Sequence, residues 1–335
     1  MLDIEKIWYR GSTVRYALLP LSWLFGVLVF IRRSFYQLGI LKTVRLPVPV
    51  IVVGNISIGG TGKTPLVEAV AKYFSAKGRR PGIISRGYGG QSKQWPLLVE
   101  TNSAASLVGD EPLLLAQRAN CPVAVGPDRV AAAKMLLTQE NCDLIISDDG
   151  LQHYRLARDV EIAVIDGVRG LGNRHLLPAG PLRENETRLQ SVDIVVVNDG
   201  EWPGAYTMQF CLQNAVSLSD NSITKSLASF KGQTVHAVAG IGRPERFFRS
   251  LQGLGLDLKT HPFPDHYRFN SGDCEFSDDL AVLMTEKDAV KVREFAVKNQ
   301  YYVPISVELD KAVYNSIEKK IALKEGSSLN RCRLD

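Results

Sequence analysis

The residues best suited to chemistry stand together at Gly59-Gly60-Thr61-Gly62-Lys63-Thr64. A glycine-rich turn leading into a helix lets successive backbone N–H groups point at one anion, and the helix dipole adds to the attraction. In that setting Lys63 bridges the β- and γ-phosphates of a nucleotide and the Thr64 hydroxyl ligates Mg²⁺. Ser57, Ile58, Gly59, Gly60, Thr61, Gly62, Lys63 and Thr64 are thus the expected loop for the phosphates of ATP. The usual Walker A pattern has a glycine where this chain has Ser57, so the Gly59-Gly60 pair must supply the turn. A purely structural glycine turn is the plain alternative. A second station is Asp148-Asp149-Gly150, at the end of the apolar run Leu144-Ile145-Ile146. Aspartates closing a strand are placed to hold Mg²⁺ directly or through water. Asp-Asp-Gly alone is ordinarily a turn; the phosphate loop upstream favours the metal role.

These groups need a frame. Val50–Val53 reads as a buried parallel strand before the loop, and a helical pattern runs from Pro65 to about Lys77. Ile83–Ser85, Val123–Val125, Val160–Ile165 and Val192–Val197 read as further strands, with helices at Leu113–Ala119 and Asp128–Gln139. That alternation predicts an α/β fold: a P-loop NTPase-like, doubly wound parallel sheet. In such sheets ligands lie beyond the carboxyl ends of the strands, which puts the aspartates beside the loop. Thr234–Ala239, Pro244–Leu254, Leu280–Met284 and Tyr301–Val307 predict a second, smaller α/β domain. Met208–Leu212 and Val303–Val307 are expected to pair as a two-stranded hinge, with 310–324 returning as a helix. The expected divisions are 1–45, an N-terminal membrane-associated helical segment; 46–205, the nucleotide-binding domain; 206–230, a linker and hinge strand; and 231–335, the smaller domain with the return strand.

Composition narrows the partners. The net charge of +5 comes entirely from residues 1–45, which hold seven basic and two acidic side chains. The rest of the chain balances to zero, so no dispersed basic surface for nucleic acid is expected. Five scattered cysteines without a C-x-x-C pair argue for a reducing compartment and against a zinc site. Sixteen uncharged residues, Tyr16 to Ile31, lie between Arg15 and Arg32. As helix they would measure about 24 Å, short of a hydrocarbon core of about 30 Å. Pro20 and Gly26 weaken a straight span further, and flanking arginines and aromatics suit an interfacial anchor. The reading preferred here is a monotopic helix at the cytoplasmic face of the inner membrane; a buried core helix and a single span are the alternatives.

Read end to end, the chain resembles the tetraacyldisaccharide 4'-kinase family, lipid A biosynthetic kinases of Gram-negative bacteria. The resemblance rests on Val53-Gly54-Asn55 leading into Gly59–Pro65, Ser85-Arg86-Gly87-Tyr88-Gly89 and Gly109-Asp110-Glu111-Pro112. It continues through Asp148–His153, Leu177–Glu184, Ala239-Gly240-Ile241, Pro264-Asp265-His266-Tyr267 and Thr285-Glu286-Lys287-Asp288. It implies transfer of the ATP γ-phosphate to the 4'-hydroxyl of a lipid, a tetraacyldisaccharide 1-phosphate, with no obligate protein partner. It also implies that Asp110 and His266 activate the hydroxyl, that Lys63 acts in catalysis, and that Asp148 and Asp149 handle Mg²⁺.

Each assignment has a plainer rival. Asp110 before Glu111-Pro112 is a good helix cap, and His266 among Phe263, Tyr267 and Phe269 could be a packed loop histidine. Arg86, Arg129 and Arg183, with Tyr88 and Glu111 in the matching motifs, are candidates to contact phosphate or substrate; any one arginine is otherwise a surface residue. Thr285–Asp288 reads as a capped helix start with no catalytic role. If Asp110 and His266 come from different domains, they would meet on closure, which would exclude water. The alternative function is a membrane-associated P-loop switch ATPase or GTPase, or a metallochaperone NTPase. Those proteins carry a lysine just before the glycine pair, where this chain has Ile58.

Overall fold

In the computed structural model, which describes residues 4–331 and the side chains of residues 4–325, the alternation of buried strands and helices becomes two sheets. Strand β1 (Val50–Gly54) is buried on both faces. Ile51 and Val53 face one core, Val50 and Val52 the other, as a strand covered by helices on both sides requires. The loop then leads into α3 (Lys63–Ala76), preceded in the chain by α1 (Ile4–Tyr9) and α2 (Val14–Gln37). Helix α3 begins two residues earlier than Pro65, so Lys63 itself opens the helix.

The large sheet continues with β2 (Pro81–Ser85), β3 (Leu97–Val99), β4 (Val123–Val125), β5 (Leu144–Ser147), β6 (Val160–Asp166), β7 (Ile194–Asn198) and β8 (Tyr206–Leu212). Its order is β15-β8-β7-β6-β1-β5-β2-β4-β3, with β15 (Ile305–Leu309) returning from the far end of the chain. Strands from β8 through β4 run parallel; the two edges, β15 and β3, are antiparallel. Between β3 and β4 come α4 (Ala105–Val108) and α5 (Asp110–Arg118), and α6 (Arg129–Gln139) leads to β5. Helix α5 packs with α3 on one face, and Val130, Ala133 and Leu136 of α6 fill the other. Asp128 caps α6, accepting from the N–H groups of Val130 and Ala131.

The smaller sheet is ordered β10-β9-β14-β13-β11-β12. It comprises β9 (Ala215–Ser217), β10 (Thr224–Lys225), β11 (Thr234–Ala239), β12 (Asp257–Pro262), β13 (Val282–Thr285) and β14 (Gln300–Val303). Helices α7 (Pro244–Gly253) and α8 (Glu286–Val292) belong to it, while α9 (Lys311–Arg331) returns Val313, Ile317 and Ile321 to the large core. The expected hinge pairing is present: β8 and β15 pair antiparallel, Leu212 opposite Ile305. Residues 206–230, expected as a linker and hinge strand, divide between β8 of one sheet and β9 and β10 of the other. One expectation is corrected. Tyr301–Val307 is not one strand: Pro304, which cannot donate to a ladder, separates β14 and β15 into different sheets. The two crossings touch there, the Gln213 amide donating to the Pro304 carbonyl at 2.8 Å.

The core-helix reading of the N-terminal segment is also overturned. Helix α2 runs 24 residues straight through Pro20 and Gly26, about 36 Å at the usual rise. Only Ser22 in it is buried, and ten large apolar side chains, Trp23 and Phe30 foremost, stay exposed. Burying one such side chain is worth about 1.5–3 kcal/mol, so a stripe of them left outside marks a face whose partner is not the rest of this chain.

The four described cysteines, Cys121, Cys142, Cys211 and Cys274, are free thiols; Cys332 and Asp3 lie outside the described residues.

Candidate active site

Sterics shape the glycine loop first. Gly62 precedes α3 with φ +92°, and a Cβ there would meet the Phe210 ring at 2.6 Å and the Asn198 amide at 2.7 Å. Asn198 donates to the Thr61 carbonyl at 3.0 Å, and Asn55 to the Thr61 hydroxyl at 3.3 Å. Asn198 ends β7 and Asn55 directly follows β1, so the sheet itself holds the loop. Ile58 differs from expectation: its N–H donates to the Pro181 carbonyl at 2.8 Å and is not free for a phosphate. Ser57 likewise bridges to Leu182. The turn falls to Gly59, at φ +125°. An open cavity of about 400 Å³ adjoins the loop beyond Phe210, lined by Asp199, Met208, Arg246 and Ser250.

Across the sheet edge, the Asp-Asp-Gly segment is both a turn and an acidic station. Asp149 turns the chain with φ +48°, which directs its carboxylate to Lys63 Nζ at 3.6 Å and to Arg183 Nη1 at 3.0 Å. Burial works to raise the Asp149 carboxyl, but the Lys63 and Arg183 charges outweigh it and hold it below the usual range. Asp148 is the opposite case. It is buried, and burial, assisted by the nearby Glu111 charge, pushes its carboxyl up to about 7. Its Oδ1 has no hydrogen-bond partner. Arg129 is buried rather than on the surface, donating to the Gly126 carbonyl at 2.9 Å, and burial lowers it to about 10. Arg86 and Tyr88 are exposed.

The other half of the site is assembled from both lobes. Gly109 takes φ +94° and ψ 153°, a region only glycine adopts readily, and a Cβ there would lie 2.5 Å from the Tyr88 carbonyl oxygen. This contact sets where α5 starts. Gly109, not Asp110, holds the cap position, so the capping role expected for Asp110 is replaced. Its side chain instead reaches the smaller lobe, with Oδ2 3.3 Å from His266 Nδ1 and 3.4 Å from Lys291 Nζ. Burial would raise the Asp110 carboxyl, but the His266 hydrogen bond and the charges of Lys291 and Lys287 lower it on balance. The Tyr88 ring lies 5.1 Å from the His266 ring. The lobes are in contact here, with ion pairs Arg243–Asp166 and Arg118–Glu286 crossing between them.

Thr285 caps α8 as expected, accepting from the Asp288 N–H. The helix is not a bystander, however. Lys287 reaches Glu111 at 3.0 Å and His266 Nε2 at 3.4 Å, so Lys287 and Lys291 belong to the site. Their spacing of four residues was the available signal, since it puts both on one helix face.

Gly109→Ala is expected to cost about 1–3 kcal/mol of stability through the forced φ and to displace Asp110. Thermal unfolding and turnover should both fall; unchanged turnover would show that the Gly109–Tyr88 contact does not set the position of Asp110.

A lysine opening a helix after a glycine turn, with a histidine–carboxylate pair in the same fold, suits the handing of a phosphoryl group to a hydroxyl. The class is that of the α/β kinases. The family model for tetraacyldisaccharide-1-P 4'-kinase matches residues 14–322. The tetraacyldisaccharide 4'-kinase of Nitrosococcus oceani is 51% identical over 91% of this chain and 90% of its own length. That of Alkalilimnicola ehrlichii is 50% identical over 96% and 98%. Among solved structures, LpxK from Aquifex aeolicus in complex with ATP superposes with a TM-score of 0.78 at 31% identity, covering 92% of this chain and all of that one. The chain belongs to the tetraacyldisaccharide-1-P 4'-kinase family.

Proposed function

We propose that this kinase transfers the γ-phosphate of ATP to the 4'-hydroxyl of a tetraacyldisaccharide 1-phosphate at the cytoplasmic face of the inner membrane. The observation that carries the reading is the Asp110–His266 pair, drawn from two lobes, with neighbouring Glu111 near enough to Asp148 for its charge to act there. Asp110 Oδ2 receives both His266 and Lys291, which leaves Oδ1 to accept the hydroxyl proton. The sugar oxygen then bonds to the γ-phosphorus as the bond to the β–γ bridging oxygen breaks and ADP departs. A weakly basic carboxylate suffices, because the transition state is loose and the hydroxyl proton is lost late. Lys63 and the loop amides balance charge building on the phosphates. Arg183, paired here with Asp149, holds that carboxylate in place.

Support for Mg²⁺ comes from Asp148, whose buried Oδ1 lacks any partner; Asp149, next to it in the chain, and Thr64, next to Lys63, would supply the other protein oxygens. When bound, Mg²⁺ supplies Lewis-acid neutralisation of the phosphate charge.

The test is transfer of labelled phosphate from ATP to the lipid acceptor in detergent micelles. Acceptor-dependent label on the sugar is expected; phosphate release indifferent to the lipid would favour a switch ATPase instead.

Membrane docking is proposed for α2, lying along the surface rather than crossing it. Ser22 donates to the Leu176 carbonyl at 2.7 Å, Arg33 donates to Ser191 at 3.1 Å, and the Tyr36 ring lies against that of Tyr154. Contacts with one lobe thus run from mid-helix to its end, where a spanning helix would meet the lobe at one end only. Trp23→Glu with Phe30→Glu is expected to lower binding to anionic vesicles at least tenfold, on about 1.5–3 kcal/mol per apolar side chain. Equal sedimentation of variant and parent would remove α2 from the membrane.

A further inference from the structure

The three ammonium protons of Lys287 face three acceptors: Glu111 Oε1 at 3.0 Å, Asp265 Oδ1 at 3.2 Å and His266 Nε2 at 3.4 Å. An ammonium donates and cannot accept. Contact with Nε2 therefore requires that nitrogen to present its lone pair, which in a neutral imidazole puts the proton on Nδ1. Nδ1 is the atom that faces Asp110 Oδ2 at 3.3 Å, and a carboxylate there can only accept. Both neighbours thus select the same tautomer, one from each side of the ring.

We propose that Lys287 is a positioning residue that holds His266 in its Nδ1–H tautomer, so that His266 donates to Asp110 and Asp110 alone takes the proton of the acceptor hydroxyl. The imidazole left to itself prefers its proton on Nε2. Without Lys287 that preference would turn a lone pair toward Asp110 and break the pair. Lys287 is well placed to stay charged: burial opposes the charge, but Glu111 and Asp265 outweigh it and raise its pKa. On the same helix face Lys291 approaches Asp110 while anchored to Asp288 at 3.2 Å. Asp288 is fully buried and also accepts from the Gly240 N–H and the Thr285 hydroxyl. With the exposed Tyr88 ring on the outer side, and Asp265 Oδ1 3.8 Å from Nε2 but closer to Lys287 at 3.2 Å, these groups complete the surroundings of the pair. A helix that reads as a plain capped start is thereby the device that orients the dyad.

The catalytic consequence rests on the kinase reading, whereas the tautomer does not, so the two can fail separately. Two-bond proton–nitrogen correlation spectra of the full chain in micelles, with His266 assigned by His266→Gln, would be recorded at about pH 8, above the ordinary imidazole value of about 6.5. The parent is expected to show a protonated Nδ1 and a bare Nε2. Lys287→Met is expected to shift the ring toward Nε2–H and to lower kcat about 10- to 100-fold, less than the 10²–10⁴-fold range for loss of the base itself, with KM for the lipid nearly unchanged. Lys287→Gln, which keeps an N–H donor without the charge, should restore the Nδ1–H form and part of kcat. A parent spectrum with Nε2 protonated overturns the proposal without need of any variant. So does a Met variant that loses activity with its tautomer unchanged, which would make Lys287 a charge partner of substrate phosphate. The expected tautomers without any lipid-dependent transfer would leave Lys287 as the group that sets the tautomer and sink both the kinase reading and the catalytic consequence that rests on it.

Discussion

Asp110→Asn is expected to reduce kcat for transfer to the lipid acceptor by about 10²–10⁴-fold, the range for removing a positioned general base. The substitution keeps the size of the side chain and removes its capacity to take a proton, so the fold around α5 should persist. His266 and Lys291 both end on Asp110 Oδ2, and the amide oxygen of Asn can still accept from one of them. KM for ATP should change little, because the loop and Lys63 lie on the other side of the cleft. Stability should respond with a definite sign. The folded Asp110 has a lowered pKa, so its contribution is present above the ordinary carboxylate value of about 4 and is lost as pH falls through the lowered one. The Asn variant should therefore unfold at a lower temperature near neutrality, with the gap from the parent closing in acid. Steady-state rates beside thermal unfolding across pH would decide the matter. A kcat within about threefold of the parent would return Asp110 to a structural role, since a general base contributes at least about 10²-fold.

Lys63→Ala is expected to remove about 10²–10³-fold of kcat, the usual loss for one preorganised charge-stabilising donor, and to raise KM for ATP as well. Lys63 opens α3 directly after Gly62, so its charge, the helix N-terminus and the loop amides act on the same anion. The change also alters Asp149, which loses the Lys63 ion pair and keeps that with Arg183. Its carboxyl should then move up toward the ordinary range. Nucleotide titration by calorimetry, alongside transfer kinetics, separates binding from catalysis. Undiminished ATP affinity and turnover would leave the glycine loop a structural turn, the alternative its sequence also permits.

The framework was largely open to reading because it depends on local patterns. Runs such as Val50–Val53 are apolar at every position, which only a strand buried on both faces tolerates, and the strand–loop–helix order around Lys63 follows directly. Element ends were less visible. Helix α5 begins at Asp110 rather than Leu113, because Gly109 is forced into its conformation by the Tyr88 carbonyl, a contact from a distant loop. Pro304 marked a break within Tyr301–Val307, but only the two sheets show that the chain changes lobes there.

The site divides in the same way. Glycines, Lys63 and the paired aspartates raise the expectation of phosphate chemistry by spacing alone, since one turn of backbone would wrap one anion. Asp110 and His266 are 156 positions apart, and no periodicity links them; the family resemblance supplied that pairing, and the two lobes bring it within contact. Lys287 and Lys291 were hidden because a capped helix start looks alike whichever way it faces, and orientation is set by packing. Asp148 and Asp149 are neighbours of identical type, yet burial raises one carboxyl while Lys63 and Arg183 lower the other. By itself the sequence determined the class of sheet, the glycine loop before Lys63 and the apolar N-terminal helix, all of which follow from residue type and short spacing. Only the tertiary structure decided which charges face each other, because electrostatic effects depend on distance and burial, and both arise only when remote segments pack together.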